Sequence, residues 1–507
     1  MRLSLTTLIA LFLSGGTALG QTAFPTQAGS PQAVTPVRYS MQDKDDQQSA
    51  EEKLKRMELR LRELENDVTR IIESSNSNSS TNDQSLQAKI ESLEETLGKQ
   101  EEAIDKIDST LPNLLFHSHK GPKLRFFGRI HLDYWSFPKV DNTINPLEGG
   151  DDPQDRWAFR RLRIGVEGDL NDNMFYKYEG EFAPGNNPSY RDALFGFKNV
   201  PYLNTVTFGN QKRPYSLDQL NNSNDNVFIE RPFVAQAFNR LNRRLGISSS
   251  GHTEDLGWNW LFGYYNQILT QEIGGFVGDK YQGEVAARIA RTAWYDESSG
   301  GRGWAHFAIA GSAGAPNGFS SPTGARYRTR PESQTAQTWF DTGDISGANE
   351  NLLVGLEAAI NVGQFNITGE YMRINVDRLD AIGEDVAFEG YYGQVSYFLT
   401  GEHRVWNRKV GKLGRVIPLE NFFTIRDCDC NVQNGWGAWE VAARYSFLDM
   451  NDQDIFGGEG ESFTFGLNWY WNPYARMQFN YILGDIDRGA AGFGDYEVFG
   501  VRMMVDF

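Results

Sequence analysis

The sequence is poor in several features on which soluble enzymes and helical membrane proteins depend. It has two cysteines in 507 residues, too few for a four-cysteine zinc site. After the N-terminus no run of 18 apolar residues occurs, which excludes a bundle of membrane-spanning helices, because each helix needs about 20. Basic residues are outnumbered, with a net charge of -17, which argues against a general nucleic-acid binder. A transmembrane β-barrel remains, because its strands need only about ten residues with apolar side chains at alternate positions.

The chain also lacks the residue arrangements that catalysis and metal binding require. It contains no Gly-x-Ser-x-Gly, phosphate-cradling loop or His-Glu-x-x-His motif. His117 and His119 lie two residues apart, and Cys428 and Cys430 flank one aspartate. Either pair is more typical of an exposed linker or loop than of a metal or redox site. We therefore expect no catalytic residue, no metal, no cofactor and no enzyme activity.

The N-terminus has the pattern of an exported protein. A basic residue, a short apolar run and small residues before Gln21 predict a signal peptide over residues 1–20. Residues 21–50 are rich in Gln, Pro, Ser and Thr and show no apolar periodicity, which predicts a flexible leader.

Apolar residues then recur alternately three and four positions apart, which predicts a periplasmic coiled coil over residues 51–112. A serine-rich tract interrupts the pattern near residues 73–85. Isolated helices of this length are marginal in water, so the pattern favours self-association. Packing of the same stripe against the chain's own barrel is the alternative.

From Lys123 onward apolar residues recur at every second position, which is typical of β-strands. In the run after position 155, Arg161 and Arg163 fall on the polar face, and the alternation predicts Arg160 on the apolar face. Similar runs recur to the C-terminus, separated by short turn signals such as Asn171-Asp172-Asn173 or by longer polar stretches. Short turns at one end and long loops at the other are typical of outer-membrane barrels.

The length of this region sets the size of the barrel. At about 24 residues for a strand with its share of turn and loop, residues 123–507 predict about 16 strands, and a barrel of that width encloses water. The chain ends on Phe507 within an amphipathic strand, which resembles the signal read by the barrel-assembly machinery. The sequence thus predicts an all-β protein, a transmembrane antiparallel β-barrel in outer-membrane lipid, preceded by the α-helical coiled coil.

Several segments of the region resemble the phosphate-selective porin O and P family. They occur in the order found in that family and span about residues 123–507, with the coiled coil outside the resemblance. The matching segments include Phe159–Gly168, Phe208–Ser216, Phe228–Pro232, Arg328–Glu332 and Gly437–Glu440.

The resemblance implies a homotrimer of 16-stranded barrels, each passing phosphate or similar small anions by passive diffusion. It also implies that a loop near residues 212–243 folds inward and narrows the pore. The candidate charged residues of this constriction loop are Lys212, Arg213, Asp218, Glu230 and Arg231.

Passage of anions requires cations on the lumen side, which replace the hydration of the anion by charge-assisted hydrogen bonds. Arg326, Arg328 and Arg330 are spaced two apart, so an extended segment places all three on one face, and they resemble the arginine ladder of the family. The other candidates lie on what we take to be polar faces of strands: Arg125, Arg129, Arg161, Arg163, Arg244 and Arg288.

Two alternatives follow from the same residues. In the first alternative, acids on the lumen side pair with these arginines and neutralise them. Together with the acidic net charge, such pairing favours a non-selective or weakly cation-selective porin. The candidate acids are Glu167, Asp169, Glu179, Glu181, Glu357, Glu370 and Glu440. In the second alternative the barrel is structural and tethers the outer membrane to peptidoglycan through the coiled coil.

Overall fold

The computed structural model describes residues 122–183, 188–239, 242–267, 281–316, 325–426 and 432–507. The predicted signal peptide, leader and coiled coil lie outside the described residues, as do His117, His119, Cys428 and Cys430. Within the described part of the chain, no helix is both long and apolar enough to cross a membrane.

The described residues form 22 strands and two short α-helices, with 3-10 turns at Asn142–Glu148 and Gly489–Ala491. The strands are β1 (Arg125–Val140), β2 (Arg156–Asp169), β3 (Met174–Glu181), β4 (Ser189–Val200), β5 (Asn204–Lys212), β6 (Arg243–His252), β7 (Trp258–Asn266), β8 (Gly283–Tyr295), β9 (Gly303–Gly314), β10 (Arg328–Thr329), β11 (Phe340–Asp341), β12 (Ala348–Val362), β13 (Phe365–Arg378), β14 (Val386–Phe398), β15 (Trp406–Asn407), β16 (Lys412–Leu413), β17 (Phe423–Arg426), β18 (Val432–Gly435), β19 (Ala438–Asp452), β20 (Ile455–Asn472), β21 (Ala475–Asp487) and β22 (Phe493–Asp506). The helices are α1 (Leu217–Leu220) and α2 (Phe233–Phe238), both between β5 and β6.

Sixteen of these strands form one closed antiparallel barrel, in which β22 pairs with β1. The six others form three two-stranded ribbons outside the barrel sheet: β10 with β11, β15 with β16, and β17 with β18. The prediction of an antiparallel barrel of about 16 strands is therefore confirmed. Closure removes the unpaired sheet edges that a membrane-spanning sheet could not satisfy.

The alternation of side chains follows the prediction on the outer face. Along β12, Leu352, Val354, Leu356 and Ile360 are exposed, whereas the residues between them are mostly buried inside the barrel. A row of exposed apolar side chains on every second position is the lipid-facing surface of a membrane barrel.

The inner face is less polar than the sequence predicts. In the half of the barrel nearest the long loops, inward residues such as Ile374, Phe388, Leu448 and Val498 are buried in an apolar core. This core is completed by residues of the loops themselves, including Trp339. The prediction of a mostly polar inner face is wrong there, because the inserted loops, and not water, cover these strands.

The connections at one end of the barrel are mostly short, as predicted, but one of them is long. At the end where β1 begins and β22 ends, which we call the turn end, most connections are short, as at residues 170–173, 201–203 and 363–364. The connection between β14 and β19 is also at this end, yet it spans residues 399–437 and contains two of the ribbons. We call it the turn-end segment. The expectation of uniformly short turns is wrong here, because this segment has its own apolar contacts inside the barrel.

The C-terminal residue takes part in closing the barrel. The N–H of Phe507 donates to the carbonyl of Gly128 (3.1 Å), and the N–H of Gly128 donates to the carbonyl of Phe507 (3.0 Å). A Cβ at position 128 would overlap the ring of Phe507 and lie 2.9 Å from the carbonyl oxygen of Arg163. The seam therefore requires glycine on β1.

We expect Gly128→Ala to lower the free energy of unfolding by about 1–3 kcal/mol, the usual cost of overpacking. Gly393→Ala is the matched control, because nothing lies within 4 Å of an added Cβ at that strand position, and we expect it to change stability by less than about 0.5 kcal/mol. Urea unfolding of the refolded protein in detergent, followed by tryptophan fluorescence, measures both. Equal midpoints for the two variants would contradict this account of the seam.

Candidate anion pathway

The connection between β5 and β6 folds into the barrel and crosses it; we call residues 213–242 the inner loop. On one side, the carboxylate of Glu370 on β13 accepts hydrogen bonds from the backbone N–H groups of Leu217 (2.9 Å) and Asp218 (2.8 Å). Further along the loop, the N–H of Ile229 donates to Asn480 on β21 (3.3 Å). The loop is thus attached to walls distant from its own strands and narrows the lumen.

The sequence of the inner loop explains why it enters the barrel. Helix α2 is almost wholly apolar, and Phe233, Val234 and Ala235 are fully buried in the core near the loop end. Ser216 is the N-cap residue of helix α1, and its hydroxyl accepts a hydrogen bond from the N–H of Gln219. Burial of α2 removes apolar surface from water, which stabilises the inserted position of the loop.

Glu230 of the inner loop binds two arginines of the barrel wall. Its carboxylate accepts from Arg160 (2.6 and 3.0 Å) and from Arg502 (2.9 Å), and Arg502 also forms two 2.7 Å hydrogen bonds with Asp133. Burial alone would raise the pKa of Glu230, but the charges of Arg160 and Arg502 outweigh it and hold the pKa well below its usual value. Glu230 is therefore a charged anchor of the loop.

The position of Arg160 corrects the sequence prediction. On β1, His131 pairs with Arg161 and Leu132 pairs with Phe159, so Arg160 is an extra residue at a β-bulge. A bulge interrupts the alternation of faces. Arg160 consequently points inward to Glu230, and not to the lipid face on which the alternation predicts it.

Beside the inner loop lies a chamber of about 860 Å³, bounded by the inner faces of β1 to β8, the inner loop and the turn-end segment. Of the described residues that line it, twelve are basic and three are acidic. The basic residues are Arg129, Arg160, Arg161, Arg163, Lys177, Arg191, Lys212, Arg231, Arg243, Arg288, Lys409 and Lys412; the acids are Glu179, Glu181 and Asp192.

The three acids do not neutralise the chamber. Glu179 alone is bound by Arg129 (2.9 Å), Arg163 (3.5 Å) and Arg243 (3.5 Å). Glu181 binds Arg163 as well, at 2.6 Å. The acids of the lining therefore bind the same few arginines, and Arg163 is bound by two of them. The chamber keeps an excess of positive charge.

Two arginines of the wall have no carboxylate partner among the described residues. Arg161 is 3% exposed, donates to the ring of His131 (3.2 Å) and has a buried Nε without a partner. Arg191 likewise has a buried Nε without a partner. The positive charges of these two arginines are therefore not neutralised by a carboxylate, and they add to the positive potential of the chamber.

The sequence-predicted pathway residues are therefore divided. Arg129, Arg161, Arg163 and Arg288 line the chamber, whereas Arg125, at the first position of β1, pairs with Glu167 on the turn-end rim. Arg288 forms a salt bridge with Glu357 (2.8 Å). At this position, the alternative in which a lumen acid pairs with the arginine therefore applies. Arg244 donates to backbone carbonyls of Arg243 and Gln267 and is not among the lining residues.

The predicted residues of the inner loop are divided in the same way. Lys212 and Arg231 line the chamber. Lys212 donates to three backbone carbonyls at the end of α1 (2.8 to 2.9 Å), and Arg231 lies 3.1 Å from Asp218. Arg213 is buried against Glu284 (2.9 Å), away from the chamber. These side chains fix the shape of the loop more than they face solute.

Arg326, Arg328 and Arg330 lie in the long connection between β9 and β12, at the loop end. They are half-buried and alternate with the buried residues Ala325, Tyr327 and Thr329, so they share one face as their spacing predicts. Arg326 pairs with Asp341 (2.6 Å). None of the three lines the chamber described above. Their role in conduction stays a prediction.

Sequence reasoning missed Arg191, Arg243, Lys409 and Lys412 as chamber residues. Arg191 and Arg243 lie at strand ends next to a bulge or a loop, where alternation assigns faces poorly. The two lysines lie on the turn-end segment, for which the sequence predicts no insertion. The sequence feature that could have identified these four residues is a basic side chain close to a predicted turn or loop.

A closed 16-stranded barrel with an inserted loop and a charged, water-accessible chamber is the architecture of a porin, a channel of the outer membrane. The chain belongs to the phosphate-selective porin O and P family, whose model matches residues 125–507. The sequence resemblance to this family is thereby confirmed.

Two relatives are similar in sequence. An uncharacterized protein of Caulobacter vibrioides is 28% identical over 365 residues, which cover 69% of this chain and 68% of that protein. Porin O of Pseudomonas aeruginosa is 28% identical over 150 residues. That second alignment covers 28% of this chain and 31% of Porin O.

Two solved structures are similar at low identity. The anion-selective porin from Comamonas acidovorans is 14% identical, with a TM-score of 0.46, over 76% of this chain and 100% of that one. The trimer form of OmpT from Vibrio cholerae is 12% identical, with a TM-score of 0.46 and the same coverage.

Proposed function

We propose that this porin passes small anions, with phosphate among them, by passive diffusion through the cationic chamber. The observation that carries the proposal is the charge of the chamber, whose described lining has twelve basic and three acidic residues. An anion that leaves water for this chamber exchanges hydration for charge-assisted hydrogen bonds. Because the cations are distributed along the wall, no single site holds the anion long enough to stop conduction.

The acidic net charge of the chain is compatible with this selectivity, because many acids lie outside the pathway. On the outer face of β20 to β22, Glu459 is opposite Asp487, Glu461 is opposite Asp485, and Asp485 is opposite Asp495. These carboxylates lie on the outer surface of the barrel and not on the inner face that lines the pore. Exposed charges separated by more than about 10 Å interact weakly at physiological salt, so the chamber determines the selectivity.

The proposal places the turn end in the periplasm and the long loops outside the cell, with three copies of the chain assembled as a trimer. Antiparallel barrels with both termini at the short-turn end have this orientation in the outer membrane. The predicted signal peptide supports export, and we place the predicted coiled coil in the periplasm.

The test is electrical recording of the purified porin in planar bilayers. Under a tenfold potassium chloride gradient, the sign of the zero-current potential gives the selectivity, and phosphate is then titrated against the chloride current. We expect an anion-selective potential and a chloride current that falls as phosphate is added. A cation-selective or unselective current that phosphate does not alter would instead establish the general porin.

A further inference from the structure

The bulge in β2 brings two adjacent arginines to the inner face, and an acid of the inner loop binds the first of them. Arg160 pairs with Glu230, whose carboxylate is shared with Arg502. Arg161 forms no ion pair among the described residues, and the hydrogen bond of its side chain there is to the ring of His131. The acceptor that holds Arg161 is therefore an imidazole and not a carboxylate.

The geometry of this contact fixes the protonation state of His131. Nη1 of Arg161 lies 3.2 Å from Nδ1 of the imidazole, and a guanidinium can only donate. Nδ1 must therefore carry a lone pair, which a protonated imidazole lacks. The ring proton lies on Nε2, which donates to Oδ1 of Asn224 in the inner loop (3.1 Å). His131 is thus a neutral and fully buried link between β2 and the inner loop.

The amide of Asn224 is itself fixed in this orientation. Its Oδ1 also accepts from Nη1 of Arg129 (3.3 Å), and Arg129 donates to Asn222 as well (2.7 Å). Both donors require the oxygen, and not the nitrogen, of the amide to face β1. The position of Arg161 is consequently linked through His131 to a stretch of the inner loop that β1 holds.

A neutral acceptor affects the chamber differently from a carboxylate. A carboxylate that binds a guanidinium also cancels its charge, whereas an imidazole contributes a lone pair and no charge. Arg161 lines the chamber and is 3% exposed, so it is held almost as firmly as a wall residue in an ion pair. Its positive charge nevertheless remains uncompensated.

A second contact between an arginine and an imidazole in the lumen shows the other arrangement. Arg288 on β8 lies 3.2 Å from Nε2 of His306 on β9. Glu357 of β12 is next to both, 2.8 Å from Arg288 and 3.4 Å from His306. The two contacts differ by one carboxylate, which neutralises Arg288 and is missing from the described surroundings of Arg161.

We infer that His131 is a positioning residue for anion selectivity, because it fixes Arg161 in the chamber wall and leaves the charge of that arginine uncompensated. This inference rests on the proposed function. A fixed charge in a water-filled cavity with low-dielectric walls attracts ions of the opposite sign most strongly when no counter-charge lies beside it. The neutrality of the imidazole is the property on which selectivity depends.

The test replaces His131 by asparagine and by aspartate, which have the same shape and differ by one charge. In either variant a side-chain oxygen takes the place of Nδ1 and accepts from Arg161, but only aspartate cancels its charge. The readout is the zero-current potential under a tenfold potassium chloride gradient. We expect His131→Asn to keep the wild-type anion-to-cation permeability ratio within about twofold, and His131→Asp to lower it by about fivefold.

A second pair and a control make the result specific. The longer pair His131→Gln and His131→Glu repeats the comparison, so that the inference stays testable if one variant does not refold, and the same difference is expected. The control Asn375→Asp adds one acid on the outer face of β13, where Asn375 accepts from Nε of Arg373 (3.3 Å). We expect this control to keep the wild-type potential.

The outcomes separate this inference from the proposed function. In an anion-selective wild type, equal permeability ratios for the asparagine and aspartate variants would overturn the role of His131 and leave the anion porin intact. A wild type that is not anion-selective would overturn the proposed function and this inference with it. A control that shifts the potential as much as His131→Asp would assign the effect to the net charge of the barrel and overturn the inference.

Discussion

Replacement of Arg161 and Arg191 together by glutamine is expected to lower the anion-to-cation permeability ratio by about 30-fold. These are the two arginines of the chamber lining without a carboxylate partner among the described residues, so no acid neutralises the attraction of their charges for an anion in the chamber. If each contributes about 1 kcal/mol to anion occupancy, close to the net value of one hydrogen bond, their joint loss of about 2 kcal/mol corresponds to that factor.

The barrel is expected to tolerate this change. Removing an arginine from an ion pair leaves a buried carboxylate unpaired, which is costly, but Arg161 and Arg191 leave none behind. Arg161 gives up one hydrogen bond to His131. We therefore expect the double variant to refold with wild-type stability, so that its selectivity can be measured.

The measurement is the zero-current potential under a salt gradient, with phosphate block of the chloride current as a second readout. The matched control is Arg373→Gln, which removes an arginine from the outer face of β13, where it is half exposed and pairs with Glu389. We expect the control to retain the wild-type potential. A double variant that also retains it, with undiminished phosphate block, would show that these two arginines do not select anions.

The strands of the barrel could be predicted from the sequence because one physical rule governs their outer face. Every second side chain on that face meets lipid, as Leu352, Val354 and Leu356 do on β12, and the period of two is visible without any knowledge of contacts. The same rule fails at Arg160. A bulge adds one residue to a strand, and whether it is present depends on pairing with β1, which the sequence of β2 alone does not contain.

The contents of the lumen were less predictable for a related reason. Inward residues such as Ile374 and Phe388 are apolar because the inserted loops cover them, and the partner of each is far away in sequence. Glu370 illustrates the same point, since the alternation places it on an inner face but does not show that it anchors α1. The composition of the chamber, unlike that of the lipid face, depends on tertiary contacts.

Glu332→Gln is expected to release the loops from the wall without opening the barrel. Glu332 lies in the connection between β9 and β12 and is fully buried. Its carboxylate binds Arg444 of β19 (2.6 Å), Ser462 (3.1 Å) of β20 and the N–H of Phe233 at the start of α2 (3.0 Å). One side chain thus joins this connection, the inner loop and the wall.

The expected size follows from the burial of the pair. Removing one partner of a buried ion pair destabilises by about 3–5 kcal/mol because the other charge stays buried without compensation. The sixteen-stranded ladder is independent of this contact, so the cost falls on the inserted loops and increases the population in which they are open. At 3 kcal/mol that population rises by about 100-fold.

Limited proteolysis of the detergent-solubilised porin measures this population. Chymotrypsin cleaves after Phe238 in the inner loop and after Tyr327 in the other connection, both of which are buried, only when these segments open. We therefore expect cleavage there to accelerate by about 100-fold in Glu332→Gln. Glu389→Gln is the matched control, because its pair with Arg373 is exposed and contributes at most about 1 kcal/mol. If both variants were cleaved at the wild-type rate, the loops would be held by their apolar core alone, and the narrowing of the pore would owe nothing to Glu332.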